Sequence, residues 1–348
     1  MRKLFPWLLI ISLLLTGCGL IDPLVTLPQK ELPTTQAGGL SIHFIDVGQA
    51  DCALIECDGE YMLIDGGNVE DSDLVVTYLQ NQGVEELHTL ICTHAHEDHV
   101  GGLPAVLAVY PTGKILSPTR TYASRCFDDF LYYADQQRLD VTIPTAGDSF
   151  WLGSAQVAVL GPVKSYADPN NTSIVVKVTY GSTSFLFTGD MEMDAETDML
   201  DAGMDVSADV LKVGHHGSST STGYRFLYEV DPQYAVISVG KDNTYGHPHR
   251  ETVAILGDAE IPMFRTDELG TILAVSDGTN ITFTWENQNA QPGDIEPADT
   301  TFIGNKNSKK LHLPTCSGLP AENNRVVFER YSDAIAQGYT PCGNCFGN

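Results

Sequence analysis

From residue 40 onward the chain alternates short apolar runs with clusters of turn residues. LSIHFIDVG, CALIEC, EYMLIDGG and TLICTH are separated by turn signals such as Asp58-Gly59 and Gly66-Gly67, so each reads as a strand. Asp73 to Gln82 places apolar residues at helical spacing and ends at Gly83, a suitable helix stop. Leu103 to Val109 and SRCFDDFLYYADQQ predict a short and a longer helix. Strands resume in VTIP, DSFWLG, AQVAVLGP, SIVVKVTYG and TSFLFTGD. A helix over Met193 to Asp201, the run ADVLKVGHHGS, a helical segment and QYAVISVG follow. A helix over 249–257 and strands near 261–285 close the pattern. β-rich blocks alternating with helices predict two sheets packed face to face and covered by helices. Residues 287–300, rich in Pro, Gly, Asn and acids, read as a linker to a small unit over 301–348.

Composition narrows the function classes. The 348 residues, 43% hydrophobic, can bury a sizeable core. The formal charge of -26 leaves no broad basic face for nucleic acid or anionic membrane. A nuclease stays open, because bound divalent cations would reverse the local field.

At the N-terminus Arg2 and Lys3 precede FPWLLIISLLL, too short for a comfortable membrane span. The run ends in Leu15-Thr16-Gly17-Cys18, which resembles the lipobox of bacterial lipoproteins. The resemblance implies cleavage before Cys18, diacylglyceryl attachment to its sulfur, and an extracytoplasmic, membrane-anchored protein. The ordinary alternative is a signal peptide (residues 1–18) that happens to contain a cysteine. Residues 19–39 read as a tether. Eight cysteines in an exported chain suggest disulfides first. However, Cys52, Cys57 and Cys92 lie in apolar runs where single buried thiols are common, and a bridge from Cys126 to Cys52 or Cys57 is left open.

The chemistry concentrates in ICTHAHEDHVGG, residues 91–102, with three histidines and two acids in six positions. Imidazole and carboxylate in a tight loop suit zinc, manganese or iron. The alternative is a solvated polar loop. The stretch His94-x-His96-x-Asp98-His99 matches the HxHxDH signature of the metallo-β-lactamase-fold hydrolases. With HFIDVGQADCALIE, YMLIDGG, NNTSIVVKVTYGSTSFLFTGD, DVLKVGHHGSS and VISVGKDNTYGHPH, residues 40–286 resemble the hydrolase domain of the ComEC competence proteins. The resemblance implies an α/β fold, the αββα metallo-β-lactamase sandwich, and two divalent ions, Zn2+ or Mn2+. His94 and His96 would hold the first ion, and Asp98 and His99 the second. Asp190 would bridge them, although alone it reads equally well as a helix N-cap. His215 would complete the second site, with His216 the alternative ligand or a substrate contact. Asp46 and Asp65 would orient ligands or simply form turns.

No histidine lies between His99 and His215, where many relatives of this fold have one; Asn170-Asn171-Thr172-Ser173 stands there instead. The first ion would then lack a nitrogen ligand, a gap that the Asn171 amide or a substrate phosphate would fill. Two ions bridged by a carboxylate lower the pKa of a shared water and clamp a phosphoryl group. Asp98 would orient that water. His247 would protonate a leaving oxygen or bind phosphate, or else be a turn residue beside Pro248. Lys212 and His216 are further candidates for phosphate contacts.

In the tail, His312-x3-Cys316 and Cys342-x2-Cys345 have the two-pair spacing of a structural zinc site, which would stabilise so small a unit directly. Disulfides are the alternative. The unit resembles the metal-binding domain of the Ada methyl-phosphotriester repair protein, with His312 in place of that family's first cysteine. That puts methyl transfer in doubt and leaves a binding or stabilising role. Lys306, Lys309 and Lys310 suit contact with a polyanion, or are simply a solvated basic turn.

The sequence therefore predicts a lipid-anchored di-metal hydrolase with an appended zinc module, cleaving phosphodiesters, with DNA as leading substrate. It has no multi-span channel of its own, so a part in DNA uptake would need other cell-surface proteins. The alternatives are a cell-wall phosphodiesterase acting on phosphocholine or teichoic acid, and a non-catalytic binding lipoprotein.

Overall fold

The computed structural model describes residues 39–293 and 301–346. Cys18, the signal peptide and nearly all of the tether lie outside the described residues. Among the described residues no helix is long and apolar enough to cross a membrane.

The first half of the chain builds one sheet. Its early strands are β1 (Leu40–Phe44), β2 (Ala53–Cys57), β3 (Glu60–Ile64), β4 (Thr89–Ile91), β5 (Ile115–Leu116) and β6 (Val141–Thr142). The second half builds another from β7 (Ser149–Leu152), β8 (Ala155–Gly161), β9 (Val175–Tyr180), β10 (Thr183–Phe187), β11 (Val210–Lys212), β12 (Tyr234–Ile237) and β13 (Met263–Arg265). The chain then returns through β14 (Ile272–Ser276) and β15 (Ile281–Trp285) to the free edge of the first sheet, giving the order β15-β14-β1-β2-β3-β4-β5-β6. The second sheet runs β13-β12-β11-β10-β9-β8-β7. Each sheet is antiparallel where β-hairpins build it and parallel where helices intervene, from β3 to β6 and from β10 to β13.

Alternation along the strands explains the packing. Leu40, Ile42 and Phe44 of β1 face the second sheet and meet Val157, Val176, Val178, Phe185 and Phe187. The Phe44 and Phe187 rings stack at 5.8 Å across the interface. Ser41 and His43 point the other way, and His43 Nδ1 lies 2.8 Å from the Tyr78 hydroxyl. Tyr78 belongs to α1 (Ser72–Asn81), one of the outer helices, with α2 (Glu97–Val100), α3 (Leu103–Val109) and α4 (Arg125–Gln136). The start of α4 is capped by Ser124, whose hydroxyl accepts from Phe127 N–H. On the far face lie α5 (Met193–Asp201), α6 (Tyr224–Val230) and α7 (Arg250–Asp258).

The helices predicted at 73–82, 103–109, 124–137, 193–201 and 249–257 all form, within a residue or so at their ends. The stretch expected as strands near 261–285 is broken by one helical turn, α8 (Thr266–Leu269). The two-residue strand β5 was not anticipated, because so short a run carries no detectable period. Cys52, Cys57 and Cys126 are free thiols, so the bridge left open by the sequence does not form.

The tail forms a four-stranded sheet from β16 (Phe302–Asn305), β17 (Lys310–His312), β18 (Arg325–Phe328) and β19 (Thr340–Pro341), with α9 (Tyr331–Ala336). It packs against α6 and α7. Tyr224 of α6 contacts Phe302, Tyr331 and Phe346 with ring centroids 4.9–5.3 Å apart. Tyr331 N–H donates to Asp258 at 2.7 Å, and Arg330 pairs with Glu260. The linker expected at 287–300 is partly built into the sheet edge, since Trp285 Nε1–H donates to Ala290 O and Gly293 bridges to Met263.

Tyr331→Ala should remove about 3–5 kcal/mol of packing and loosen the module first, seen as early proteolysis of the tail. Burial raises the Asp258 carboxyl to about 6. Its proton is therefore held more tightly folded than unfolded, so this contribution to stability is full below about 4 and is lost as pH rises through about 6. Asp258→Asn should flatten that part of a melting-temperature profile.

Candidate metal centre

The candidate residues converge at the carboxyl ends of the parallel strands, where open α/β sheets leave a crevice. The chain leaves β4 at Ile91 and enters the histidine loop, and α2 is one turn whose N-cap is His96. Two main-chain bonds clamp this turn: Asp51 N–H to Asp98 O, and Gly66 N–H to His99 O. Glycine is required behind it. A Cβ on Gly101 would lie 2.4 Å from Val69 N, and one on Gly102 2.1 Å from Gly66 O.

Asp190 follows β10, and its N–H donates to Ser173 Oγ. It is no helix cap, since α5 begins later and Glu192 occupies that position. Its two oxygens face different partners. On the Oδ1 side lie His99 Nε2 at 3.2 Å and His216 Nε2 at 3.7 Å, with Asp98 Oδ2 3.3 Å from His216 Nε2. On the Oδ2 side lie His215 Nε2 at 3.6 Å and His94 Nε2 at 3.8 Å, with His96 Nδ1 3.0 Å from His94 Nε2. Ligands held about 2.0 Å from a tetrahedral ion lie roughly 3.3 Å apart, so these spacings suit a metal.

His216, rather than His215, thus joins the tight group with Asp98, His99 and Asp190. His215 turns to the opposite oxygen, the side of the His94-x-His96 pair. Adjacent imidazoles can diverge in this way because both residues take left-handed backbone conformations, φ 51° and 53°. Such conformations cost about 1–3 kcal/mol each and persist only where surroundings enforce them. Main-chain bonds hold the pair, His215 N–H to Gly189 O and Ser218 N–H to His215 O; at the far end of the loop the buried Glu196 carboxyl, pushed up to about 8 by burial, accepts from Thr222 and Gly223 N–H.

Supporting groups fix the ligand nitrogens. Asp65 accepts from Thr93 N–H and Oγ1–H, both at 2.7 Å, and from His99 Nδ1–H at 2.8 Å, leaving His99 Nε2 toward the centre. His216 Nδ1–H donates to Ser238 O at 3.0 Å. Asp51 lies between Lys212 (2.9 Å) and His216 Nδ1 (3.3 Å). Sequence reading missed Asp51; its signal was an acid in a polar cluster between β1 and β2. Lys212 is buried on Asp51 and Val213 O, which takes it away from a phosphate contact. Asp46 accepts from Gly48 N–H in a turn. The Asn171 amide oxygen accepts from Glu192 N–H at 3.0 Å, and Asn171 is not among the residues that line the cleft. Its neighbour Asn170 lines the cleft with an amide oxygen that has no hydrogen-bond partner among the described residues.

Electrostatics follow from burial. Burial alone would lower the pKa of His216, but Asp190 and Asp51 push it up to about 10. His99 is likewise raised against burial by Asp190, Asp65 and Asp98. Burial holds His94 well below the usual histidine range. Asp98, despite burial, is held down to about 2 by His99 and His216. Three buried atoms, His99 Nε2, His216 Nε2 and Asp190 Oδ1, have no hydrogen-bond partner among the described residues. Leaving such atoms bare is costly, and a divalent cation would satisfy all three.

The tail holds a second donor set. His312, Cys316, Cys342 and Cys345 place their ligand atoms within 4.8 Å of one another. Leu313 N–H points at Cys345 Sγ and Gly318 N–H at Cys316 Sγ, each at 3.4 Å, as donors to thiolates would. All three cysteines are free, so the disulfide alternative is not formed.

The profile of the metallo-β-lactamase superfamily matches residues 45–241. The chain belongs to that superfamily. Its relatives include ComE operon protein 3 of Bacillus subtilis (strain 168), 30% identical over 250 residues, 66% of this chain and 32% of that protein. Recombination protein 2 of Haemophilus influenzae is 35% identical over 64% of this chain and 26% of its own length. Competence protein ComA of Neisseria gonorrhoeae is 30% identical over 65% and 31%. The chain thus spans about a third of these relatives or less. As a member of this superfamily it gathers its candidate metal donors at the carboxyl ends of central strands, and the groups missed in the sequence are those that brace them.

Asp190→Ala should lower the metal content of the protein while leaving the tail cluster loaded, measured by metal analysis of the purified protein. Glu196→Ala leaves two buried N–H groups unpaired and should cost about 2 kcal/mol or more, read by chemical denaturation.

Proposed function

We propose that this protein is a phosphodiesterase with a two-ion centre, acting on DNA outside the cytoplasmic membrane and anchored there through Cys18. The observation that carries the reading is the split of donors about Asp190: Asp98, His99 and His216 on one oxygen, and His94, His96 and His215 on the other. Imidazole and carboxylate donors fit zinc or manganese. When bound, the ions supply Lewis-acid stabilisation of phosphate oxygens and a more acidic water. In the tail, His312 and the three cysteines fit one structural zinc. Relatives named for competence and recombination support DNA as substrate and a place in the cell envelope.

The chain's own residues divide the remaining work. Asp98, partly exposed and held by His216, faces a cleft of about 920 Å³ and orients the attacking water. His216, almost fully buried in the cleft wall, joins the donors on that side and holds Asp98 at 3.3 Å. His247 lines the same cleft. The Gln49 amide, fixed by accepting from Gly240 N–H, donates to His247 Nδ1 at 3.2 Å. With its hydrogen on Nε2, His247 can donate a hydrogen bond to a phosphate oxygen; burial and the neighbouring imidazoles lower the ring to about 4, so it acts as a neutral phosphate-binding donor. The module's Lys306, Lys309 and Lys310 would add contacts to the polyanion, and proteins of DNA uptake are the partners this role calls for.

A second reading has its own support. Glu70 and Asp71 line the cleft, and their carboxylates would welcome a cation such as the choline of a cell-wall phosphodiester.

The test is hydrolysis by the full chain, with added Mn2+ or Zn2+, of single-stranded DNA, duplex DNA and p-nitrophenylphosphocholine. Cleavage of DNA, reduced at least a hundredfold by Asp98→Ala and His94→Ala, is expected. Turnover of the choline ester without DNA cleavage selects the second reading. No turnover of any ester by metal-loaded protein leaves a binding lipoprotein.

A further inference from the structure

Beside the metal centre, three rings lead outward. The His247 ring lies 6.3 Å from that of His216 with their planes 24° apart, and the Tyr245 ring lies 5.7 Å from His247 at 25°. Tyr245 is 68% exposed, the most exposed of the large hydrophobic side chains among the described residues. Its ring helps line the cleft that contains Asp98, Asp190 and His215.

Beyond its stack on His247, no contact among the described residues uses the Tyr245 ring. The turn is held by Asn243, whose Oδ1 accepts from Tyr245 N–H and His247 N–H, and whose Nδ2 donates to Gly240 O and His247 O. These bonds use the Tyr245 main chain alone, so the side chain is presented on a braced loop while contributing little to it. A rigid, solvent-facing aromatic face beside a reactive centre is what stacking onto a flat ligand requires.

Charge defines the ligand further. The cleft walls carry Asp46, Glu70, Asp71 and Glu97 beside Lys241, and Asp267 on the same wall is paired with Arg265 at 2.7 Å. A duplex laid along this groove would bring several phosphates against carboxylates. A single strand can place one phosphate at the metal donors and turn its bases to the wall. Affinity would then come from ring stacking rather than from phosphate contacts.

We propose that Tyr245 forms a base-stacking subsite that receives the nucleobase next to the reacting phosphate of a single-stranded nucleic acid. The proposal rests on the phosphodiesterase reading above and specifies its substrate. Tyr245 is a specificity-determining residue, since it takes no part in the chemistry.

The test compares two esters with the same leaving group on the full, metal-loaded chain: thymidine 5′-(p-nitrophenyl phosphate) and methyl p-nitrophenyl phosphate. Stacking of a base is worth about 1–3 kcal/mol, so Tyr245→Ala should lower kcat/KM for the thymidine ester about 5- to 150-fold. The methyl ester should change less than about twofold, metal content should be unchanged, and Tyr245→Phe should restore the thymidine ester. Equal losses on both esters, or no loss on either, overturn the subsite. So does a selective loss on p-nitrophenylphosphocholine, which would make the occupant a quaternary ammonium group. If no ester is hydrolysed by protein shown to hold metal, the phosphodiesterase reading fails and the subsite falls with it.

Discussion

The carboxylate of Asp190 is the point on which both halves of the candidate metal centre converge. It is buried, it stands at the end of β10, and each of its oxygens serves a separate set of imidazoles. A buried charge of this kind is tolerable only with partners. The partners come from the first sheet through the loop after β4 and from the second through the loop after β11. The two sheets therefore meet twice: once through an apolar interior centred on Phe44 and Phe187, and once through a polar knot at their edge. The apolar contact fixes the distance between the sheets, and the polar knot uses that distance.

The polar knot extends well behind the donors. Asp65 takes the Nδ1–H of His99, and Ser238 O takes the Nδ1–H of His216, which turns both Nε2 atoms to the centre. Asp51 and Lys212 neutralise each other where the two loops cross. These groups do not touch the cleft's contents, yet they decide which nitrogen of each imidazole faces inward. The acidic cleft walls then set how a ligand can approach, and the Asn243-braced turn adds an aromatic surface to an otherwise anionic groove.

Much of this was legible in the sequence, for identifiable reasons. The alternating strands and amphipathic helices were readable because burial imposes periods of 2 and 3.6. The histidine loop was readable because its donors are close in sequence. Asp51 and Glu196 were not, since their partners are 161 and 26 residues away and only the fold brings them together. The roles of His215 and His216 were not separable either, because adjacent residues are distinguished only by backbone angles. Asn170 and Asn171 pose the same difficulty, and there too the neighbour lines the cleft. Resemblance supplied the fold and the donor list, whereas the direction each side chain takes required coordinates.

The left-handed pair at His215 and His216 has a further consequence. Two candidate donors on consecutive residues share one peptide unit, so a backbone shift there turns both together. A single deletion or insertion between Lys212 and Ser218 would misdirect both at once. Failure at this loop is therefore expected to be abrupt rather than graded. Mutational tolerance should fall sharply at these positions, while the histidine loop after β4, whose donors are spaced along a loop and a helical turn, can lose one donor and retain the aim of the rest.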